Sequence, residues 1–288
     1  MRKVFYFLLA AVTLVLAACK DKNAPEPTVN YPEGAIHGLF SVGANKQIMF
    51  SQGNLQYHQD KAAAHNDYFA FAEHQYDVIG KEGNEGIGSV PCTIDLFGWG
   101  TGNMPRQTST SNADYAEFHD WGANKIKNGG NEAGLWRTPS KDEWVYLFFK
   151  RNNAARLFSM GSVNGVNGII LLPDNWKGEM FDNVTDGLVA QEESYENSTQ
   201  NNYDLHTYTA EQWAAMEADG AVFLPATGYR YQGTKVDQSD VTWRCRYWAC
   251  TQDESGYKDF LHTAKTGLYL SSSPDYNKGF AVRLIREK

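Results

Sequence analysis

The sequence predicts an α+β domain of short, twisted antiparallel strands, two capped helices and long loops, and three observations carry that reading. Short apolar or alternating runs recur along the chain, separated by Gly, Asn and Ser clusters, which is the texture of a strand meander. Two stretches begin instead with a capping box, Ser140-Lys141-Asp142-Glu143 and Thr209-Ala210-Glu211-Gln212, and continue with apolar residues at helical spacing. Polar tracts too long for turns, such as the acidic, Asn-rich Asn183 to Asp204, read as surface loops.

At the start of the chain, Arg2 and Lys3 precede an almost wholly apolar run, Val4 to Val15. That run is too short for a permanent membrane helix and reads as the h-region of a signal peptide. The ending Leu16-Ala17-Ala18-Cys19 resembles the lipobox of bacterial lipoproteins, which implies cleavage before Cys19 and lipidation at that residue. Residues 1–18 are then a signal peptide, 19–33 a lipidated tether containing Pro25, Pro27 and Pro32, and 34–288 a single domain. The charged Lys20-Asp21-Lys22 after the cysteine resembles surface-export signals of some Bacteroidetes lipoproteins. It implies an outer-membrane protein, lipid-anchored and facing the cell exterior.

Strands are predicted at Phe40-Ser41-Val42, Gln47 to Phe50 and Asn54 to Tyr57, with a further strand pair within Tyr68 to Ile79. Met104 to Gly134 is polar and loop-like. The first helix follows Ser140 and sets Trp144, Leu147 and Phe148 on one face; Ile169 to Leu172 is a fully apolar strand. The second helix carries Trp213 and Met216 and stops at Gly220. Both helix tryptophans read as core. Strands resume at Ala221 to Pro225, Tyr229 to Tyr231, Thr242 to Thr251, Gly267 to Ser271 and Phe280 to Ile285.

Composition narrows the function. A formal net charge of -8 with no basic run offers no counterion release on a polyphosphate, which excludes nucleic acid as the expected partner. No later stretch is apolar enough to cross a bilayer, so the membrane is expected to be reached through the lipid anchor alone. The 8 Trp, 16 Tyr and 15 Phe exceed the demands of a core, and Tyr and Trp also build sugar- and protein-binding surfaces. After lipidation, Cys92, Cys245 and Cys250 remain, so at most one intramolecular bridge forms. The seven histidines are scattered, without the spacing of a transition-metal site.

Several motifs resemble known families in order along the chain. Trp136-Arg137-Thr138-Pro139 with Glu143-Trp144, and the closing Gly279-Phe280-Ala281-Val282-Arg283, are similar to signatures of the formylglycine-generating-enzyme superfamily. Tyr247-Trp248-Ala249-Cys250-Thr251, Asp95 to Gly100, Leu171 to Trp176 and Phe223 to Arg230 resemble a nearer group, the C-type-lectin-like domains of Bacteroidetes and Fibrobacter surface proteins. The resemblance implies a C-type-lectin-like fold that binds a glycan or protein ligand non-covalently, with no cofactor. It also implies a binding face near the C-terminus, where Tyr231, Trp243, Arg244, Arg246, Tyr247, Trp248, Tyr257 and Tyr276 supply stacking planes and charge-assisted hydrogen bonds. Strand alternation assigns about half of these to the core. Similar lipoproteins are targets of diversity-generating retroelements, and the Arg244-Cys245-Arg246 run suits such editing.

The alternative is enzymatic. Formylglycine-generating oxidases hold copper with two cysteines separated by four residues, the spacing of Cys245 and Cys250, and thiolates suit Cu(I). The superfamily's glycine-rich lead-in is replaced here by Asp240-Val241-Thr242-Trp243, and along one strand the two thiols face opposite sides.

Overall fold

The computed structural model describes residues 29–60, 67–183, 187–197, 203–237, 243–264 and 267–288. Contacts divide the chain into Met1–Asn30 and Tyr31–Lys288, and every element below belongs to the second unit. That unit begins slightly ahead of residue 34, because Tyr31 stacks on His37 with ring centroids 4.6 Å apart. Cys19 and most of the expected tether lie outside the described residues.

In chain order the strands and helices are β1 (Phe40–Gly43), β2 (Lys46–Phe50), β3 (Leu55–Gln59), β4 (Asp67–Phe71), α1 (Gly80–Glu85), β5 (Cys92–Ile94), α2 (Lys141–Val145), β6 (Phe158–Val163) and β7 (Val166–Leu171). They continue as β8 (Leu188–Ala190), β9 (Ser194–Asn197), β10 (Thr207–Tyr208), α3 (Ala210–Ala218), β11 (Val222–Pro225), β12 (Tyr229–Tyr231) and β13 (Lys235–Asp237). The last four are β14 (Arg246–Gln252), β15 (Lys258–Ala264), β16 (Gly267–Ser273) and β17 (Ile285–Glu287). The protein is thus α+β, dominated by small sheets.

The sheets run β1-β2-β17, β4-β3-β5, β10-β6-β7-β11, β12-β13 and β14-β15-β16-β9-β8, and pairing is antiparallel except between β10 and β6. In the first of these, Phe50 pairs with Ile285, so the end of the chain closes onto its beginning.

Both predicted capping boxes form. Ser140 Oγ accepts from Glu143 N while the Glu143 carboxylate accepts from Ser140 N, and Thr209 and Gln212 repeat the exchange. Trp144 and Trp213 are buried, the latter edge-on to Phe223. The first helix is short as an α-helix and widens over Tyr146–Lys150.

Several segments differ from expectation, and of the expected strand Phe280 to Ile285 only Ile285 lies in one, β17. Only Asp67–Phe71 of the Tyr68 to Ile79 tract is a strand. Beyond it, the buried Gln75 amide donates to Ala221 O (3.0 Å) and accepts from Phe223 N (2.8 Å), which uses backbone groups that a second strand would have paired. The Asn183 to Asp204 tract is not one loop, since β8 and β9 lie within it. Tyr195 anchors β9, buried and with its hydroxyl donating to Phe148 O at 2.9 Å. Strands β5, β6, β10, β13 and β15 and helix α1 have no counterpart in the sequence reading. Helix α1 lacks a side-chain cap and is held by buried Asn84, whose amide donates to Asp95 Oδ1 at 2.7 Å.

Candidate functional site

Strands β14, β15 and β16 set the candidate site by register. Arg246 pairs with His262, which pairs with Tyr269; one step on, Tyr247 pairs with Leu261 and Leu261 with Leu270. Opposed residues share a face. Tyr247, Leu261 and Leu270 therefore enter the core, with Cys245, Ala249 and Leu268, whereas Arg246, His262 and Tyr269 form a half-buried row on the other side.

Rings extend that row in both directions. Phe260 stacks on His262 at 5.0 Å and His262 on Tyr269 at 5.2 Å. The Arg246 guanidinium lies 3.9 Å from the Tyr229 ring centre and 5.3 Å from that of Phe280. Tyr229 neighbours Tyr231 on β12 at 5.9 Å, and the Lys278 ammonium is 5.8 Å from Tyr229. Arg244 lies 4.3 Å over the half-buried Trp243 ring. Cations lie over the ring faces of this stack. Burial, aided by the Arg246 and Arg244 charges, pushes His262 down to about 4, so the imidazole is neutral near pH 7 and reaches Ser271 Oγ at 2.9 Å.

The eight residues expected to contact ligand divide. Tyr231, Arg244 and Arg246 belong to this face and are half-buried; Trp243 is half-buried too but packs against the core on the side of Cys245 and Tyr247. Tyr247 and Trp248 do not. The Tyr247 hydroxyl donates to Pro225 O (2.9 Å) and accepts from Asn54, and the Trp248 indole donates to Phe97 O (2.7 Å) and stacks on Phe280 at 4.1 Å. Both are fully buried, because β14 has core on either side at this point. Tyr257 is exposed in the turn after β14, and Tyr276 lies elsewhere, flanking the Lys258 ammonium opposite Trp99. Tyr229, His262 and Tyr269 were missed. Their signal was the alternation of Phe260 and His262 in a strand whose charged start, Lys258-Asp259, hides it.

The copper pair does not fit. Cys245 Sγ sits in the core and donates to Leu224 O at 3.4 Å, with Thr263 beside it; burial pushes this thiol up to about 12. Cys250 has other neighbours, Asp120, Glu143 and Arg137, and is pushed up to about 11, chiefly by burial. Copper ligation needs both sulfurs at one position, whereas these two lie in different surroundings, Cys245 against Leu224 and Thr263 and Cys250 near Asp120, Glu143 and Arg137. Cys92, Cys245 and Cys250 are free thiols. Among the described residues no cluster of His, Cys, Asp and Glu gathers around a metal position. Ala249 and Cys245 are also fully buried, whereas Trp243, Arg244, Arg246 and Cys250 are half-buried.

Comparison with family models, with curated proteins and with solved structures returned no match.

Proposed function

We propose that this protein is a lipid-anchored outer-membrane protein whose C-type-lectin-like domain holds a glycan or protein ligand non-covalently at the cell surface. The observation that carries the reading is the half-exposed stack of Tyr229, Tyr231 and Tyr269 with Arg246, backed by the buried Trp248, Phe260 and Phe280. Such a surface offers flat apolar planes for sugar rings or side chains and guanidinium donors for hydroxyl and carboxylate oxygens. It is built on strands rather than loop tips, so its geometry is fixed before a ligand arrives. Glycan arrays and pull-downs with full-length protein in detergent test it. Tyr231→Ala and Arg246→Ala are expected to weaken binding about tenfold or more without lowering thermal stability appreciably. Unchanged binding in both variants removes the assignment.

The anchor is a separate part of the proposal. No described helix is long and apolar enough to cross a membrane. Acyl chains on Cys19 would hold the domain at about 0.8 kcal/mol per buried methylene, and several chains together hold it firmly. Metabolic labelling with a fatty-acid analogue is expected to mark the wild type and to leave Cys19→Ala unlabelled and released from membranes. Label in Cys19→Ala, or none in the wild type, overturns the anchor.

A further inference from the structure

The sequence contains three Asn-Gly steps, Asn128-Gly129, Asn164-Gly165 and Asn167-Gly168. The backbone nitrogen after an asparagine is placed to attack the side-chain amide carbon, and a following glycine, lacking Cβ, shields that nitrogen least.

The fold closes two of these steps to the reaction. The Asn128 amide is held at both ends by Phe71: Oδ1 accepts from Phe71 N at 2.8 Å and Nδ2 donates to Phe71 O at 3.0 Å. The Gly129 N–H, the attacking group, is itself bound to Ile126 O at 2.9 Å. Asn167-Gly168 lies inside β7, with β6 on one side and β11 on the other. Gly168 is buried, and a Cβ there would lie 2.5 Å from Leu224 O, so this backbone has no room to swing. Asn167 O also accepts from Ala226 N at 2.7 Å.

Asn164-Gly165 is the opposite case. It forms the two-residue turn between β6 and β7, closed by the pair Val163 and Val166. Asn164 has φ 49 and Gly165 φ 79, as in the type I′ hairpin turn that favours Asn-Gly. Both residues are exposed, and a Cβ on Gly165 would meet nothing within 4 Å. Among the described residues the Asn164 side chain has no hydrogen-bond partner, and the Gly165 N–H donates to no backbone oxygen. Beyond the strand ladder the turn is tied by Asn164 N, which donates to Tyr208 O at 2.9 Å. Exposed turns of this kind open locally without unfolding the domain.

We infer that Asn164 is a site of spontaneous modification by water, where the folded protein converts an amide into a carboxylate. With the turn open, a base takes the Gly165 amide proton and Gly165 N bonds to Asn164 Cγ. The Cγ–Nδ2 bond breaks, and the amide nitrogen takes up a proton and leaves as ammonia. Water then opens the cyclic imide. Attack at Cγ gives aspartate; attack at the backbone carbonyl gives isoaspartate, whose main chain runs through the former side chain. Nothing is oxidised or reduced. Either product adds a negative charge, and isoaspartate also lengthens a turn whose register sets Val163 against Val166.

Full-length protein in neutral detergent, folded or unfolded in urea, is aged in mildly alkaline buffer and digested for fragment-ion mass spectrometry. Each converted amide gains about 1 Da. The quantity read is the ratio of folded to unfolded rate at each step. That ratio is expected to be at least about tenfold higher at Asn164 than at Asn128 or Asn167, whose reaction awaits a rarer opening. The Asn164 product is expected as two chromatographic peaks of equal mass, aspartate and isoaspartate. Asn164→Asp is expected to lose the early mass gain with an unchanged melting temperature. Equal ratios at the three steps, a higher ratio at Asn128 or Asn167, or an early gain that persists in Asn164→Asp overturns the inference.

Discussion

Trp248→Ala is expected to destabilise the domain by about 3–5 kcal/mol, the cost of deleting a large aromatic from a packed core. Trp248 is fully buried, stacks on Phe280 at 4.1 Å and meets Phe260 edge-on at 6.1 Å. Alanine leaves a cavity between these rings and strips Phe97 O of the indole donor that reaches it at 2.7 Å. For a domain of this size the melting temperature falls on the order of 10 °C. Trp243→Ala, at a half-exposed ring, is expected to cost under about 1 kcal/mol. Urea or thermal unfolding followed by circular dichroism separates the two. Equal, small losses in both would mean that Trp248 is not packed as described, and would return it to the list of surface contacts.

Glu143→Gln is expected to cost about 3 kcal/mol at pH 7, because its carboxylate is nearly buried and serves three cationic or polar donors at once. Arg137 approaches it with two N–H groups at 2.7 and 2.5 Å, Lys46 Nζ at 2.8 Å and Ser140 N at 2.9 Å. Arg137 and Lys46 also reach Glu287, so one side chain joins the start of α2 to β2 and β17. Despite burial, these donors hold the Glu143 carboxyl down to about 2 from its ordinary 4.5. The folded value lies below the unfolded one, so the stabilisation is fully present above about pH 4.5 and is lost as pH falls through about 2. Wild type and variant are therefore expected to differ most at neutral pH and to converge in acid. A stability gap that stays constant from pH 7 to about pH 2 would remove the charge network as its cause.

How much of this was legible in the sequence follows from the range of the interactions concerned. The capping boxes at Ser140 and Thr209 were readable because donor and acceptor lie within one helical turn. Strands β1, β2, β3, β7 and β11 were readable from apolar runs between turn residues. Strand β15 was not, because it opens on Lys258 and Asp259, both buried, the lysine between the rings of Trp99 and Tyr276, which are far away in sequence. Strand β9 was hidden in an acidic tract, where Tyr195 alone marks the core side. The site was half legible for a similar reason. Alternation divides a strand into an inner and an outer face, but around Tyr247, Trp248 and Ala249 β14 is covered on both sides. Adjacent aromatics there are both core, while Trp243, Arg244 and Arg246 before the covered stretch and Cys250 to Gln252 after it are partly exposed.

The pairing of Phe50 with Ile285 also governs time. Strands β2 and β17 belong to one sheet, yet almost the entire domain is threaded between them. Closing so long a loop costs entropy before any contact repays it, and chains ruled by such distant pairings fold in milliseconds to seconds rather than microseconds. The first hairpin, β1 with β2, forms early but waits for its third strand until the last residues arrive. Until then Ile48 and Phe50 stand uncovered on an incomplete edge, the interval in which this chain is most open to mispairing with its neighbours.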